Sequence, residues 1–228
     1  MKDAKGSLPD IFQRRKRYLH STRDALEWFQ PFFIFLTILF FWIDRVDRRH
    51  DLTLQQQEMT DTRTNDSWQI LATNLEGQSG KKEALEHLHN NGFSLVEVRA
   101  NNAFLNGLVL AGARLGFANF EGSMLINSNF KRADMQEINL TGANLTSSYL
   151  TDTILVNAQM TRANSTGAWL HDASLNSANL EGAIFHETKL PGADLSHANL
   201  TGVDLSTSCG TKDTILPEGY TIPLCTSK

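Results

Sequence analysis

Several things are scarce in this 228-residue chain, and each scarcity excludes a class of answer. There are two cysteines, Cys209 and Cys225, both near the C-terminus, so no cysteine framework staples the body. Neither sign of charge dominates: 21 Lys/Arg against 25 Asp/Glu leave a net charge of −4. The seven histidines, His20, His50, His87, His89, His171, His186 and His197, are scattered, and no pair has metal-ligand spacing with a supporting Cys or carboxylate. His87 and His89 fall two apart on a predicted helix, hence on different faces. A phosphate-binding glycine loop, a nucleophile elbow and paired catalytic carboxylates are all missing. The sequence therefore predicts no enzyme, no cofactor and no metal site.

Long apolar runs are scarce too, and the exception is instructive. Residues 32–43 are almost wholly apolar, and Trp28 and Phe29 extend the run backwards. From Trp28 the stretch is about 24 Å as a helix at ~1.5 Å per residue, short for a bilayer, where about 20 residues are usual. Trp28 and Trp42 nevertheless stand where interfacial aromatics belong, and Arg45 can snorkel. A cleaved signal peptide fits less well, because Asp44-Arg45-Val46-Asp47-Arg48-Arg49 follows the run without a small-residue cleavage site. A buried or interfacial helix is the other alternative. The expectation is a transmembrane helix over 28–46 that anchors the chain in a membrane, as a single span in a bacterial inner membrane.

Charge is distributed unevenly around that helix. Residues 1–50 hold ten Lys/Arg and six Asp/Glu, residues 51–100 four and eight, and residues 101–210 five and nine. A basic, cytoplasmic-type arm over 1–27, containing Arg14, Arg15, Lys16, Arg17 and Arg23, thus favours a cytoplasmic N-terminus, though only slightly over Arg45, Arg48, Arg49 and Arg63 on the other side. Residues 47–66 read as a polar helical stalk or linker, without a sustained heptad. Within 67–100, Ala84, Leu85 and Leu88 recur at helical spacing before Asn90-Asn91-Gly92, which predicts a helical N-cap over the open end of the domain C-terminal to it. Trp68-Gln69-Ile70-Leu71 and the segment Gly77 to Leu88 resemble a stretch found ahead of the repeats in membrane-anchored bacterial pentapeptide-repeat proteins.

From Leu105 to Leu205 every fifth residue is large and apolar, except Ser165, over twenty-one positions. Two residues earlier the side chain is small at most sites, as at Ala113, Ala143 and Ala178; Asn or Asp usually lies between, and Gly recurs two residues after the large one. A period of five suits neither an amphipathic helix nor an extended alternating strand, so it signals repeat architecture. The large and small residues both point inward, the one filling a bore and the other leaving it room. The pattern is similar to that of the pentapeptide-repeat family, which implies an all-β domain: a right-handed quadrilateral β-helix, or solenoid, over 101–208. Four repeats per coil, implied by the resemblance, give about five coils and a rod on the order of 25 Å long at ~4.8 Å per coil. Residues 209–228 are expected to close the last coil as a C-terminal cap, with Cys209 and Cys225 either joined in a disulfide, which needs an oxidising compartment, or buried as thiols.

If each coil takes twenty residues, positions twenty apart stack. One wall then carries Asn119, Asn139, Gln159, Asn179 and Asn199, expected to form a structural amide ladder. Another carries Val109, Asn129, Tyr149, Trp169 and Lys189, with His171, Asp152, Asp172, Lys131 and Arg132 nearby, and predicts Tyr149 above Trp169. Aromatic, cationic and acidic groups together are what a protein-contact hot spot needs; two aromatics covering a flat wall is the plainer alternative. Asn139-Leu140-Thr141, Asn144-Leu145-Thr146 and Asn199-Leu200-Thr201 match a glycosylation triplet that the repeat pattern generates unaided.

The resulting functional expectation is a membrane-anchored, non-catalytic scaffold or protein-interaction module, binding an unidentified protein through the Tyr149/Trp169 wall and compatible with a homo-oligomer. One alternative is the DNA-mimicking topoisomerase protector that the family resemblance brings in. The modest charge of residues 101–210 argues against it, since duplex DNA carries one charge per about 1.7 Å, and so no nucleic-acid partner is expected. The other alternative is a secreted effector that inserts in a host membrane.

Overall fold

The computed structural model describes residues 35–43, 45, 46, 53, 55–72 and 80–226. The chain divides into two compact units, Met1–Thr60 and Asp61–Lys228. In the first unit the described residues are helical. Apolar side chains on this helix are exposed, with Phe40 at 77%, Phe41 at 68% and Trp42 at 65%. Among the described residues no helix is long and apolar enough to cross a membrane. The basic arm at 1–27, residues 28–34 and 44 of the expected span, and parts of the stalk lie outside the described residues.

The second unit contains the repeats. Each repeat makes a three-residue extended segment and a two-residue corner. In the segment the side chains alternate inward, outward, inward, as strand geometry requires. Ala113, Arg114 and Leu115 illustrate it: the first and last are buried and the arginine is exposed. The corner is closed by a bond such as Leu108 N–H to Leu105 C=O at 3.0 Å. Its second residue takes a positive φ, 65° at Gly142 and 59° at Arg132, as in a type II turn, which is why glycine recurs there. Pro191 occupies the first corner position, where the turn accepts a fixed φ.

Stacking follows from the period. Parallel bridges join residues twenty apart, among them Asn119 to Asn139, Asn144 to Asn164, Tyr149 to Trp169 and Ile154 to Ser174, so four repeats complete a coil and four walls rise. Coils are tied by backbone bonds of 2.8–2.9 Å, for example Leu105 N–H to Met124 C=O, Gly107 N–H to Ile126 C=O and Met124 N–H to Ala103 C=O. The bore is filled from Leu95 to Leu205, and Phe120, Phe130 and Phe185 are among its largest fully buried side chains. Each such side chain contributes about 1.5–3 kcal/mol of burial. Among the described residues, the hydroxyls of Ser148 and of Ser165, the polar residue in the large-residue series, are buried without hydrogen-bond partners.

The amide wall differs from the expected ladder. Asn119, Asn139 and Asn199 turn Oδ1 back to accept the backbone N–H two residues on, at 2.9–3.1 Å, and Asn144, Asn164 and Asp194 do the same on other walls. One inter-coil amide bond remains, Asn199 Nδ2 to Asn179 Oδ1 at 3.2 Å. The reason is that the first corner residue has an outward N–H that no neighbouring coil can accept, and a short Asx side chain satisfies it locally. At Asp204 the hydroxyl and N–H of Ser206 hold the carboxyl below its ordinary value.

Both ends of the rod are closed. The helix Gly80–Asn90 buries Ala84, Leu85 and Leu88 and stops where Gly92, at φ 79°, lets Phe93 N–H reach Leu88 C=O at 3.0 Å. From it Glu86 Oε1 accepts Val109 N–H at 2.9 Å, a donor on the rim of the first coil. At the other end Cys209 and Cys225 form a disulfide, sixteen residues apart in sequence. The cap adds one residue to the period, pairing Asp194 with Ile215, and packs Leu216 and Ile222 against the core.

Two substitutions test this account of the repeat. Gly142→Ala, whose new Cβ meets nothing within 4 Å, isolates the corner backbone and should cost about 1 kcal/mol in chemical denaturation. Ser165→Ala removes an unpaired buried hydroxyl and should leave stability unchanged or raise it by about 1 kcal/mol; a loss would mean that the hydroxyl has a partner.

Candidate functional site

The outward position at the centre of each extended segment is the one place in a repeat where side-chain identity is free of the bore. On most walls it holds the Asx acceptor of the corner. On the wall Val109, Asn129, Tyr149, Trp169, Lys189 and Cys209 that rule is abandoned from Tyr149 onward. Neither Tyr149 nor Trp169 can offer the short acceptor, so the corner N–H groups of Thr151 and His171 forgo it.

In its place stands a column of rings. Tyr149 and Trp169 are bridged neighbours with ring centroids 6.2 Å apart and planes tilted by 33°. His171, at the corner after Trp169, stacks on the indole at 5.5 Å and 23°. On the tyrosine, Lys131 Nζ lies over the ring, 5.2 Å from its centroid. Such cation–π and ring contacts are worth about 0.5–1 kcal/mol each at exposed sites. They hold large side chains in one arrangement while Tyr149 and Trp169 stay 40% and 45% exposed. A rigid aromatic pair that loses little entropy on contact is suited to binding.

The remaining predicted residues flank the column. Arg132 Nε lies 3.6 Å from Asp152 Oδ2, with side chains 81% and 45% exposed, a surface pair worth about 0–1 kcal/mol. The Asp172 carboxylate folds over Gly192 of the next coil, where a Cβ would collide with it. The tertiary structure thus brings Lys131, Tyr149, Trp169 and His171 into one array and leaves Arg132 with Asp152 and Asp172 as separate neighbours. His171 makes its ring contact with tryptophan, so the stacking of the wall does not assemble a histidine–carboxylate centre from the named residues. Among the described residues no group of three or more His, Cys, Asp or Glu is placed to hold a metal ion. Lys189, bridged to Trp169 from the following coil, extends the wall with a further cation and was legible from the same twenty-residue spacing.

Because Asn is what this position ordinarily carries, the double variant Tyr149→Asn/Trp169→Asn should regain two corner bonds and match or exceed the parent in thermal stability, within about 1 kcal/mol. A large loss would make the column a structural element of the wall.

The pentapeptide-repeat pattern matches in eight copies, over residues 103–142, 128–164, 138–176 and 168–206. No curated protein matches the chain. Among solved structures, a pentapeptide repeat protein from the Arabidopsis thaliana thylakoid lumen is 25% identical over 42% of this chain and 66% of its own, with TM-score 0.41. HetL, a pentapeptide repeat protein involved in heterocyst differentiation regulation from the cyanobacterium Nostoc, is 29% identical over 54% and 62%, with TM-score 0.29. QnrB1, a plasmid-mediated fluoroquinolone resistance protein, is 16% identical over 53% and 63%, with TM-score 0.41. The chain therefore spans less than two thirds of these proteins, 66%, 62% and 63% of their lengths. With the five-residue pattern matched across residues 103–206 and four repeats closing each coil, this chain is a pentapeptide-repeat protein whose repeats form a four-sided β-helix.

Proposed function

We propose that the protein is a membrane-anchored, non-catalytic scaffold that displays its β-helix on the oxidising side of a bilayer and binds a protein partner through the Tyr149–Trp169 wall. The observation that carries the reading is the column Lys131, Tyr149, Trp169 and His171, a preorganised aromatic and cationic array in the position that elsewhere serves the corner bond. Aromatic side chains ringed by charge are the residue types that anchor protein interfaces. Two further observations support the placement. Helical residues 35–43 are apolar and exposed, as a helix apolar all round is when its solvent is lipid. The Cys209–Cys225 disulfide fits a compartment outside the reducing cytosol.

The test is a photo-crosslinking amino acid placed at Thr151, beside the column, or at Thr141, on the corner following the Asn139 wall. One discrete adduct should form from Thr151, be absent from Thr141, and be lost when Tyr149→Asn/Trp169→Asn is added. Equal adducts from both corners would retire this wall as the contact. For orientation, an impermeant phosphine followed by an impermeant maleimide should label Cys209 and Cys225 on intact cells; labelling that needs lysis would reverse the assignment.

A further inference from the structure

The outward residues of a β-helix can be read along a wall or around a single coil, and the two directions answer different questions. Around the first complete coil, residues 98–117, the four outward positions are Arg99, Phe104, Val109 and Arg114, and all four are exposed. No Asp or Glu occurs in that coil. Each later coil contains at least one acid: Glu121, Asp134 and Glu137, then Asp152, then Asp172, then Glu181, Glu187 and Asp194. The next coil down already answers with Asn119, Met124, Asn129 and Asp134. Phe104 is 60% exposed, Val109 50%, and Phe117 at the last corner of the coil 55%. Val96, on the corner that enters the coil, is 40% exposed. Glu97 borders the ring, and the Glu86 carboxylate at its rim is taken up by Val109 N–H at 2.9 Å.

Residues of one coil lie at one height on the rod, within a single strand spacing of ~4.8 Å. A protein docked against the side of the rod would touch one wall over several coils, as the Tyr149–Trp169 column is built to allow. A ring that occupies all four walls at one height instead matches a plane crossed by the rod axis. Cations and apolar groups mixed at one level, with acids removed, are the composition of a membrane–water interface, where arginine meets lipid phosphate and aromatic or aliphatic side chains enter the acyl boundary. The headgroup layer of one leaflet is on the order of 5–7 Å deep, enough for one coil. In sequence the first coil is also the part of the β-helix closest to the apolar run.

We infer that the first coil is a membrane-docking collar: Arg99, Phe104, Val109, Arg114 and Phe117 seat the rod upright in the headgroups of an anionic bilayer. This rests on the anchored reading above and adds what the anchor alone does not give, a fixed height and orientation of the rod. The Tyr149–Trp169 wall, two and three coils further on, is then held clear of the lipid.

The full-length chain, with its native disulfide intact, is reconstituted into vesicles carrying an environment-sensitive fluorophore on Asn106→Cys, in the first coil, or on His186→Cys, four coils on at the equivalent corner. With phosphatidylglycerol present, the Asn106→Cys probe should blue-shift and be quenched by headgroup spin-labelled lipid at least twofold more than the His186→Cys probe. Arg99→Gln/Phe104→Ser/Arg114→Gln should abolish the difference while leaving the circular dichroism unchanged. Equal, water-like signals from both probes overturn the collar. An undiminished difference in pure phosphatidylcholine overturns its anionic selectivity. A chain that never enters the vesicles sinks the anchor instead. The collar then still predicts salt-sensitive sedimentation with phosphatidylglycerol vesicles, about fivefold weaker for each arginine removed, and no sedimentation would overturn it as well.

Discussion

Close packing of the bore is the constraint from which the other features derive. Each wall can send only two side chains inward before the chain must turn, and opposite walls must share the space between them. A large residue paired with a small one satisfies that geometry, as Leu115 with Ala113 or Leu180 with Ala178 does, both members buried. Three residues of alternating direction and two of corner make five. The corner then fixes its own requirements, a left-handed residue at its second position and an acceptor for the stranded N–H at its first. Backbone bonds between coils come at no further sequence cost, because any residue can donate and accept them. The central outward residue alone is left without a duty to the bore.

That freedom makes departures from Asn and Asp informative. Where the outward residue is Asn139 or Asn144, it serves the corner and little else. Where it is Tyr149 or Trp169, the local bond is forgone and a ring array appears on the wall. Where it is Arg99, Phe104, Val109 or Arg114, the departures run around one coil, and the direction of the run separates a contact made sideways from one made end-on. A vertical stripe and a horizontal ring can coexist on one rigid rod because neither disturbs the bore.

The ends obey different physics. A stack of coils leaves rim donors, acceptors and apolar side chains facing open space, and periodicity cannot satisfy them. At the first coil a short amphipathic helix covers the bore and lends a carboxylate to Val109. At the last, the period slips by one residue, Leu216 and Ile222 fold over the core, and the disulfide closes the loop. These solutions are irregular because each is made once.

The amino-acid sequence by itself determined everything that depends on the period: which residues fill the bore, that positions twenty apart stack, and hence that Tyr149 lies above Trp169. A strict repeat maps one-dimensional spacing onto three-dimensional neighbours, so those contacts are legible without coordinates. Only the tertiary structure decided what is not periodic. It turned the asparagines toward their own corners rather than up the wall, because the unsatisfied donor is two residues away and the next amide is a full coil away. It gave His171 to the indole of Trp169 rather than to the carboxylates Asp152 and Asp172, and it joined Cys209 to Cys225. The docking ring was present in the sequence as a coil without acids, but it becomes a plane only when the chain is wound and its four outward positions arrive at one height.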